Sequence, residues 1–199
     1  MFYYINGVAA EMEPNLAVVD CGGVGFELNV TSNTLSHFGI GDKVKLYTYA
    51  NIREDCFDLY GFYSLSEKRC FEMLIGVSGV GPKAALSILS ASTPEQLAVA
   101  IVSGNEKALT VAPGIGKKLA SRVILELKDK MAKETENISP SVNTLSAASP
   151  ASGGNGNDAA AALAVLGYSS GEISAALKGI DTESLSVEDI IRKALKNMM

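Results

Sequence analysis

The sequence has no tryptophan, one histidine (His37) and three cysteines, Cys21, Cys56 and Cys70. A single imidazole and three scattered thiols, with no Cys-x-x-Cys pair, cannot supply the closely spaced ligands of a structural zinc site. An odd, widely separated set of thiols also argues against a disulfide-built secreted scaffold and fits a reducing compartment. No apolar run reaches the roughly 18 residues that a membrane-spanning helix needs. The first residues, Met1-Phe2-Tyr3-Tyr4-Ile5-Asn6-Gly7, lack the basic start and long apolar stretch of a secretory signal. These absences predict a cytoplasmic protein with no membrane span, no metal and no cofactor.

What is present is 199 residues, 47 % of them apolar, enough to bury real cores. The net charge of −5 argues at first against a nucleic-acid partner, but its distribution reverses that impression. Residues 1–62 carry 3 basic and 8 acidic side chains, residues 63–134 carry 10 and 7, and residues 135–199 carry 4 and 7. A basic middle between acidic ends predicts an anionic ligand held by one segment.

Residues 1–62 read as β structure. Leu16–Asp20, Gly25–Val30 and Lys43–Tyr49 are short runs rich in β-branched and aromatic residues, punctuated by Gly22-Gly23 and by Gly39-Ile40-Gly41-Asp42. Five or six such strands suit a small barrel of the OB type. Residues 63–134 read as all-helical. Ser64 and Glu67 have the spacing of a capping box, followed by Cys70, Phe71, Leu74 and Ile75 at helical intervals, and Thr93-Pro94-Glu95-Gln96 opens another helix. Residues 135–157, rich in Ser, Ala, Gly and Pro, read as a flexible linker spanning roughly 25 Å. Residues 158–199 read as a small three-helix bundle, with Ser169…Glu172 and Ser186…Asp189 as capping boxes. The expected fold is therefore multidomain α+β: an N-terminal OB-like barrel, a central all-α domain and a C-terminal three-helix bundle.

The helical middle repeats itself with a period of 35 residues. Leu74 matches Leu109, Gly79-Val80-Gly81 matches Gly114-Ile115-Gly116, Lys83 matches Lys118, and Ala85 matches Ala120. Each copy reads helix, Gly-apolar-Gly hairpin, basic residue, helix. The glycines permit positive φ and strip side chains from the hairpin surface. The apolar residue between them can turn inward as an anchor. Main-chain N–H groups then face outward at the start of the second helix, where the helix dipole favours an anion. Lys83, Lys117, Lys118 and Arg122 follow within two turns. Main-chain donors read no base, so such a clamp is indifferent to sequence and sensitive to salt. Two other glycine motifs fit poorly. A dinucleotide fingerprint at Gly79-x-Gly81-x-x-Ala84 would need a preceding strand and a later acidic residue, and no Gly-Lys-Ser/Thr exists for a Walker A loop.

These hairpins resemble those of the RuvA family, subunits of the Holliday junction branch migration complex. Val77–Lys83 and Pro113–Lys118 look like its two hairpins, and Arg53-Glu54-Asp55 with Leu59-Tyr60-Gly61-Phe62 looks like its acidic pin and the end of its barrel. Leu163-x-x-Leu166-Gly167-Tyr168 looks like its C-terminal domain. The resemblance covers nearly the whole chain except the linker. It implies a non-catalytic homotetramer, one or two copies of which hold a four-way junction, and a hexameric ATPase motor, RuvB, that docks on the C-terminal domain. A junction resolvase is a further implied partner. Carried over residue by residue, the phosphate-binding positions are Gly79, Gly81, Lys83, Gly114, Gly116, Lys117, Lys118 and Arg122. Glu54 and Asp55 would be the pin, and Leu166, Gly167 and Tyr168 the contact with the motor. Leu119 and Ser121 stand where the family carries more polar or charged residues.

Helix–hairpin–helix units also occur in DNA-repair nucleases and glycosylases, which is the alternative reading. No second cluster of carboxylates in the sequence suggests a two-metal site.

Overall fold

The computed structural model describes residues 2–54, 56–136 and 154–198. The chain divides into two compact units. The first comprises Met1–Gly76, Val80–Pro94 and Ala112–Gly114; the second comprises Val77–Gly79, Glu95–Val111 and Ile115–Met199.

The first unit is built on a closed five-stranded barrel, ordered β1-β2-β3-β5-β4. Its strands are β1 (Tyr4–Glu13), β2 (Leu16–Asp20), β3 (Gly25–Val30), β4 (Lys43–Ile52) and β5 (Phe57–Phe62), with the short helix α1 (Ser32–Leu35) between β3 and β4. Neighbours are antiparallel except β3 and β5, whose parallel pairing at Asn29↔Tyr60 closes the barrel, as in the OB arrangement. Alternate residues point inward, as the period of a strand requires. Ile5, Ala9, Ala17, Val19, Leu28, Val30, Val44, Leu46 and Leu59 form the buried core. Gly22 and Gly23 turn the chain between β2 and β3 with φ of 71° and 95°, as their pairing in the sequence suggested. The sequence patterns did not single out β1, which pairs with both β2 and β4 and so joins the two ends of the sheet.

The first unit continues past Phe62, the last residue of the barrel. The first unit also takes in α2 (Leu65–Ile75) and α3 (Pro82–Ala91). Ser64 caps α2 as expected, its side chain accepting from the Glu67 N–H at 3.1 Å. The expected capping box is only half formed, because the Glu67 carboxylate accepts instead from the hydroxyls of Thr31 and Thr34. A carboxylate that is 4 % exposed cannot be satisfied by water, so it takes the nearest buried donors.

In the second unit, α4 (Pro94–Ser103), α5 (Glu106–Thr110) and α6 (Lys117–Glu136) bury Leu97, Ile101, Leu109, Val123 and Leu127. The C-terminal bundle is α7 (Asn155–Val165), α8 (Ser170–Leu177) and α9 (Val187–Asn197). Its core is Ala159, Ala162, Leu163, Leu166, Ile173, Ile190, Ile191 and Leu195. Ser169 and Glu172 make the complete capping box expected of them. The linker reading of 135–157 overreached at both ends. Helix α6 runs to Glu136, and Asn155–Asn157 form the first turn of α7, with the Asn155 amide donating to the Leu185 carbonyl at 2.8 Å. That tertiary hydrogen bond holds a turn whose local composition favours coil. The rest of the expected linker, 137–153, lies outside the described residues.

Candidate nucleic-acid interface

Each Gly-apolar-Gly segment forms the tight turn that its composition demands. In the first, Val77 is buried, Ser78 and Gly79 are exposed, and Gly79 adopts φ of 86°. Val80 turns inward to 5 % exposure, and exposed Gly81 serves as the N-cap of α3 with Pro82 at the first helical position. Gly81 offers no side chain to cap this end of α3, and the first N–H groups of a helix have no acceptor within the helix itself. Lys83 is exposed in that turn and lines a groove of about 560 Å³ with Asn29, Ser32 and Ser90.

The second turn repeats the first. Gly114 adopts φ of 81°, Ile115 is buried to 5 % exposure, and Gly116 is exposed. Leu119 and Ala120 both donate to the Gly116 carbonyl at 3.0 Å, which begins α6. Neither α3 nor α6 has an acidic residue in its first turn to compete for an incoming anion. Lys117, Lys118 and Arg122 are exposed along α6. With Ser121, Leu125, Glu106 and Glu126 they line a groove of about 650 Å³. All eight sequence-predicted phosphate positions are thus exposed.

Arg122 has a second engagement that its basic character did not reveal. Its Nη1 donates to the Ser78 carbonyl at 3.3 Å, and Glu126, one turn further along α6, accepts from the Ser78 N–H at 3.2 Å. The two side chains clasp one residue of the first turn from both sides of its peptide chain. A Cβ added at Gly79 would only touch Arg122 Nη1, at 3.4 Å, so it is the positive φ and not the space that calls for glycine here. The 35-residue register aligns Arg122 with Ser87 and Ser78 with Pro113. The corresponding bond exists: Ser87 Oγ donates to the Pro113 carbonyl at 2.7 Å. Ser78, Ser87 and Glu126 were missed by sequence reasoning, although the repeat register was the signal that could have paired them.

Glu54 is exposed at the turn joining β4 to β5, which closes with the Arg53 N–H donating to the Cys56 carbonyl at 2.9 Å. Asp55, its expected companion, lies outside the described residues.

The C-terminal motif has a structural explanation. Gly167, at φ of 78°, donates to the Ala164 carbonyl at 2.9 Å, and Tyr168 donates to the Leu163 carbonyl at 3.3 Å. These two bonds are the Schellman arrangement that stops α7. Leu166 is fully buried in the bundle core, which corrects its assignment as a motor contact: no surface of its side chain is available. Gly167 is exposed and Tyr168 half-buried.

Among the described residues no three His, Cys, Asp or Glu side chains gather as a metal ion would require. No single helix among them is long and apolar enough to cross a membrane.

Comparison with known families bears directly on these turns. The family model "RuvA N terminal domain" matches residues 1–61, "SAM-like Helix-hairpin-helix tandem" matches 71–129, and "RuvA, C-terminal domain" matches 155–199. A protein of Ruminiclostridium cellulolyticum named "Holliday junction branch migration complex subunit RuvA" is 44 % identical over 204 residues, covering the whole of both chains. The chain belongs to the RuvA family. A RuvA of Acetivibrio thermocellus is 42 % identical over 199 residues, covering all of this chain and 98 % of its own, and one from Clostridium perfringens is 40 % identical over 205 residues. The RuvA N-terminal match ends within β5 at the close of the barrel, and the RuvA C-terminal match begins at 155, the first residue of α7.

Proposed function

We propose that this chain binds four-way DNA junctions as the non-catalytic subunit of a branch-migration complex in recombination and repair. The observation that carries the reading is the duplicated turn: Gly79 and Gly114, 35 residues apart, each with positive φ, each followed by a buried anchor and an exposed lysine. Uncapped N–H groups and nearby cations at a helix start suit a phosphate oxygen. Such contacts are independent of base sequence, so selectivity must come from the shape of the DNA.

One subunit with two turns serves one duplex arm, and a junction has four arms. A homotetramer follows, with one or two of them on each junction. The barrel supports assembly, because it leaves Phe2, Tyr3, Tyr4, Val8, Ile52 and Phe57 exposed. Glu54 and Asp55 act as the acidic pin at the crossover, where carboxylates repel phosphates and keep strands apart. The C-terminal bundle recruits the hexameric RuvB ATPase motor, with Gly167 and Tyr168 as the accessible part of its Leu-Gly-Tyr motif. A junction resolvase acts on the same complex, in the cytoplasm. Helicase activity belongs to the complex with the motor and not to this chain.

Native mass spectrometry with a synthetic four-way junction tests the assembly, and titration against a linear duplex of the same arm sequence tests the selectivity. A tetramer or pair of tetramers with clear preference for the junction is expected. Equal affinity for both DNAs sinks the reading. Cleavage of the junction by the pure protein with Mg²⁺ would favour the nuclease reading instead.

A further inference from the structure

The segment between β3 and β4 does more than connect two strands. Thr31 and Thr34 are fully buried there. Thr31 Oγ1 accepts from the Thr34 N–H at 2.9 Å and donates to Glu67 Oε1. Thr34 Oγ1 accepts from the Tyr63 N–H at 3.0 Å and donates to Glu67 Oε2 at 2.6 Å. An ionised carboxylate only accepts, so each hydroxyl's own hydrogen is aimed at it while the hydroxyl oxygen accepts a main-chain N–H. One four-residue helix and its cap thus hold both oxygens of a side chain in the first turn of α2.

The same segment grips α3. Asn33 Nδ2 donates to the Leu89 carbonyl at 2.6 Å and to the Ser92 carbonyl at 3.3 Å, both at the C-terminal end of that helix. The Ser32 N–H donates to Ser90 Oγ at 3.2 Å. The two helices that flank the first glycine turn therefore both hang on α1. A buried carboxylate is a costly way to join elements, since apolar side chains of similar volume often hold them as well or better. What a fully hydrogen-bonded network adds is one defined geometry.

We propose that α1, with its cap Thr31, is the mount that sets the angle of α2 and α3 against the barrel, and that Glu67 and Asn33 are positioning residues for recognising branched DNA. The inference rests on the junction-binding reading above. A linear duplex needs only the phosphate contact and tolerates a loose hairpin. A junction engages several arms at once, and simultaneous engagement is lost when the angles do not match.

The test uses the full chain. A Thr31→Val, Thr34→Val, Glu67→Met variant replaces the network with apolar groups, and Asn33→Ala releases α3 alone. Both are expected to fold, the triple variant less stably than the wild type because the Thr34 and Tyr63 N–H groups lose their hydroxyl acceptors, and to bind linear duplex within about twofold of it. Their preference for the four-way junction falls about tenfold or more, as lost avidity requires. Folded variants with unchanged preference overturn the mount, and so does failure of both to fold, which makes α1 a stability element only. A wild type without junction preference is a different failure, that of the functional reading itself.

Discussion

The guanidinium of Arg122 donates to the main-chain carbonyl of Ser78 across 3.3 Å, joining a helix of the second repeat to the turn of the first. A residue that sequence reasoning assigned to phosphate is thus also a brace for the turn that presents main-chain donors. Ser87 and Pro113 make the equivalent bond one repeat away, with a shorter, uncharged donor.

Arg122→Ala is therefore expected to do two things. It should lower the salt slope of DNA binding by about 1 if the arginine also meets a phosphate. It should also speed amide exchange at Gly79 and Val80 with no DNA present, because the Ser78 carbonyl loses its partner. Hydrogen-exchange mass spectrometry of the free protein reads the second effect, and unchanged exchange there refutes the brace.

Lys83 and Lys118 occupy equal places in the repeat and are both exposed. Changing both to Ala should weaken junction binding for every arm sequence alike and reduce the slope of log affinity against log salt by about 2, one unit for each phosphate contact. Fluorescence titrations over a range of salt concentrations decide it; an unaltered slope removes these lysines from the clamp.

Neutralising the pin with Glu54→Gln and Asp55→Asn should leave junction affinity unchanged or tighter, since repulsion from phosphate is removed. Branch-migration rates with the motor present should change. A large loss of binding would show that these carboxylates make attractive contacts instead.

Burial pushes the Glu67 carboxyl above its ordinary pKa, opposed by the hydroxyls of Thr31 and Thr34, the Tyr63 N–H and the charge of His37. The folded chain therefore holds this proton more tightly than the unfolded chain. The resulting stabilisation is full below the unfolded carboxyl pKa of about 4.3 and is lost as pH rises through the higher folded value. Glu67→Gln cannot ionise and lacks that loss. Its melting temperature relative to wild type should climb as pH rises from about 4 to 7. A difference that stays constant across this window contradicts the assignment.

Removing residues 154–199 takes away the whole C-terminal bundle, including the first turn of α7 that composition alone assigned to the linker. Junction binding should survive and stimulation of the motor's ATPase should vanish. Loss of junction binding in the same variant argues against a modular chain.

Much of this protein is legible in short windows of sequence. The strand over Lys43–Tyr49, the Ser169…Glu172 box and the turn at Gly22-Gly23 all appear where they were expected, because backbone preference is set by adjacent residues. The two glycine turns were legible for the same reason, and their 35-residue repetition added what no single motif carries. Leu166 misled because a residue within a recognisable motif reads as functional, whereas its apolar side chain is the part of that motif that the bundle buries.

The sequence by itself determined the elements, the duplicated turns and the basic stretch that surrounds them. Only the tertiary structure decided that β1 ties the barrel together, that Glu67 turns from its own helix cap to Thr31 and Thr34, and that Arg122 reaches Ser78. A polar side chain takes whichever partner folding brings within about 3 Å, and when that partner lies 33 to 44 residues away no local pattern records the choice.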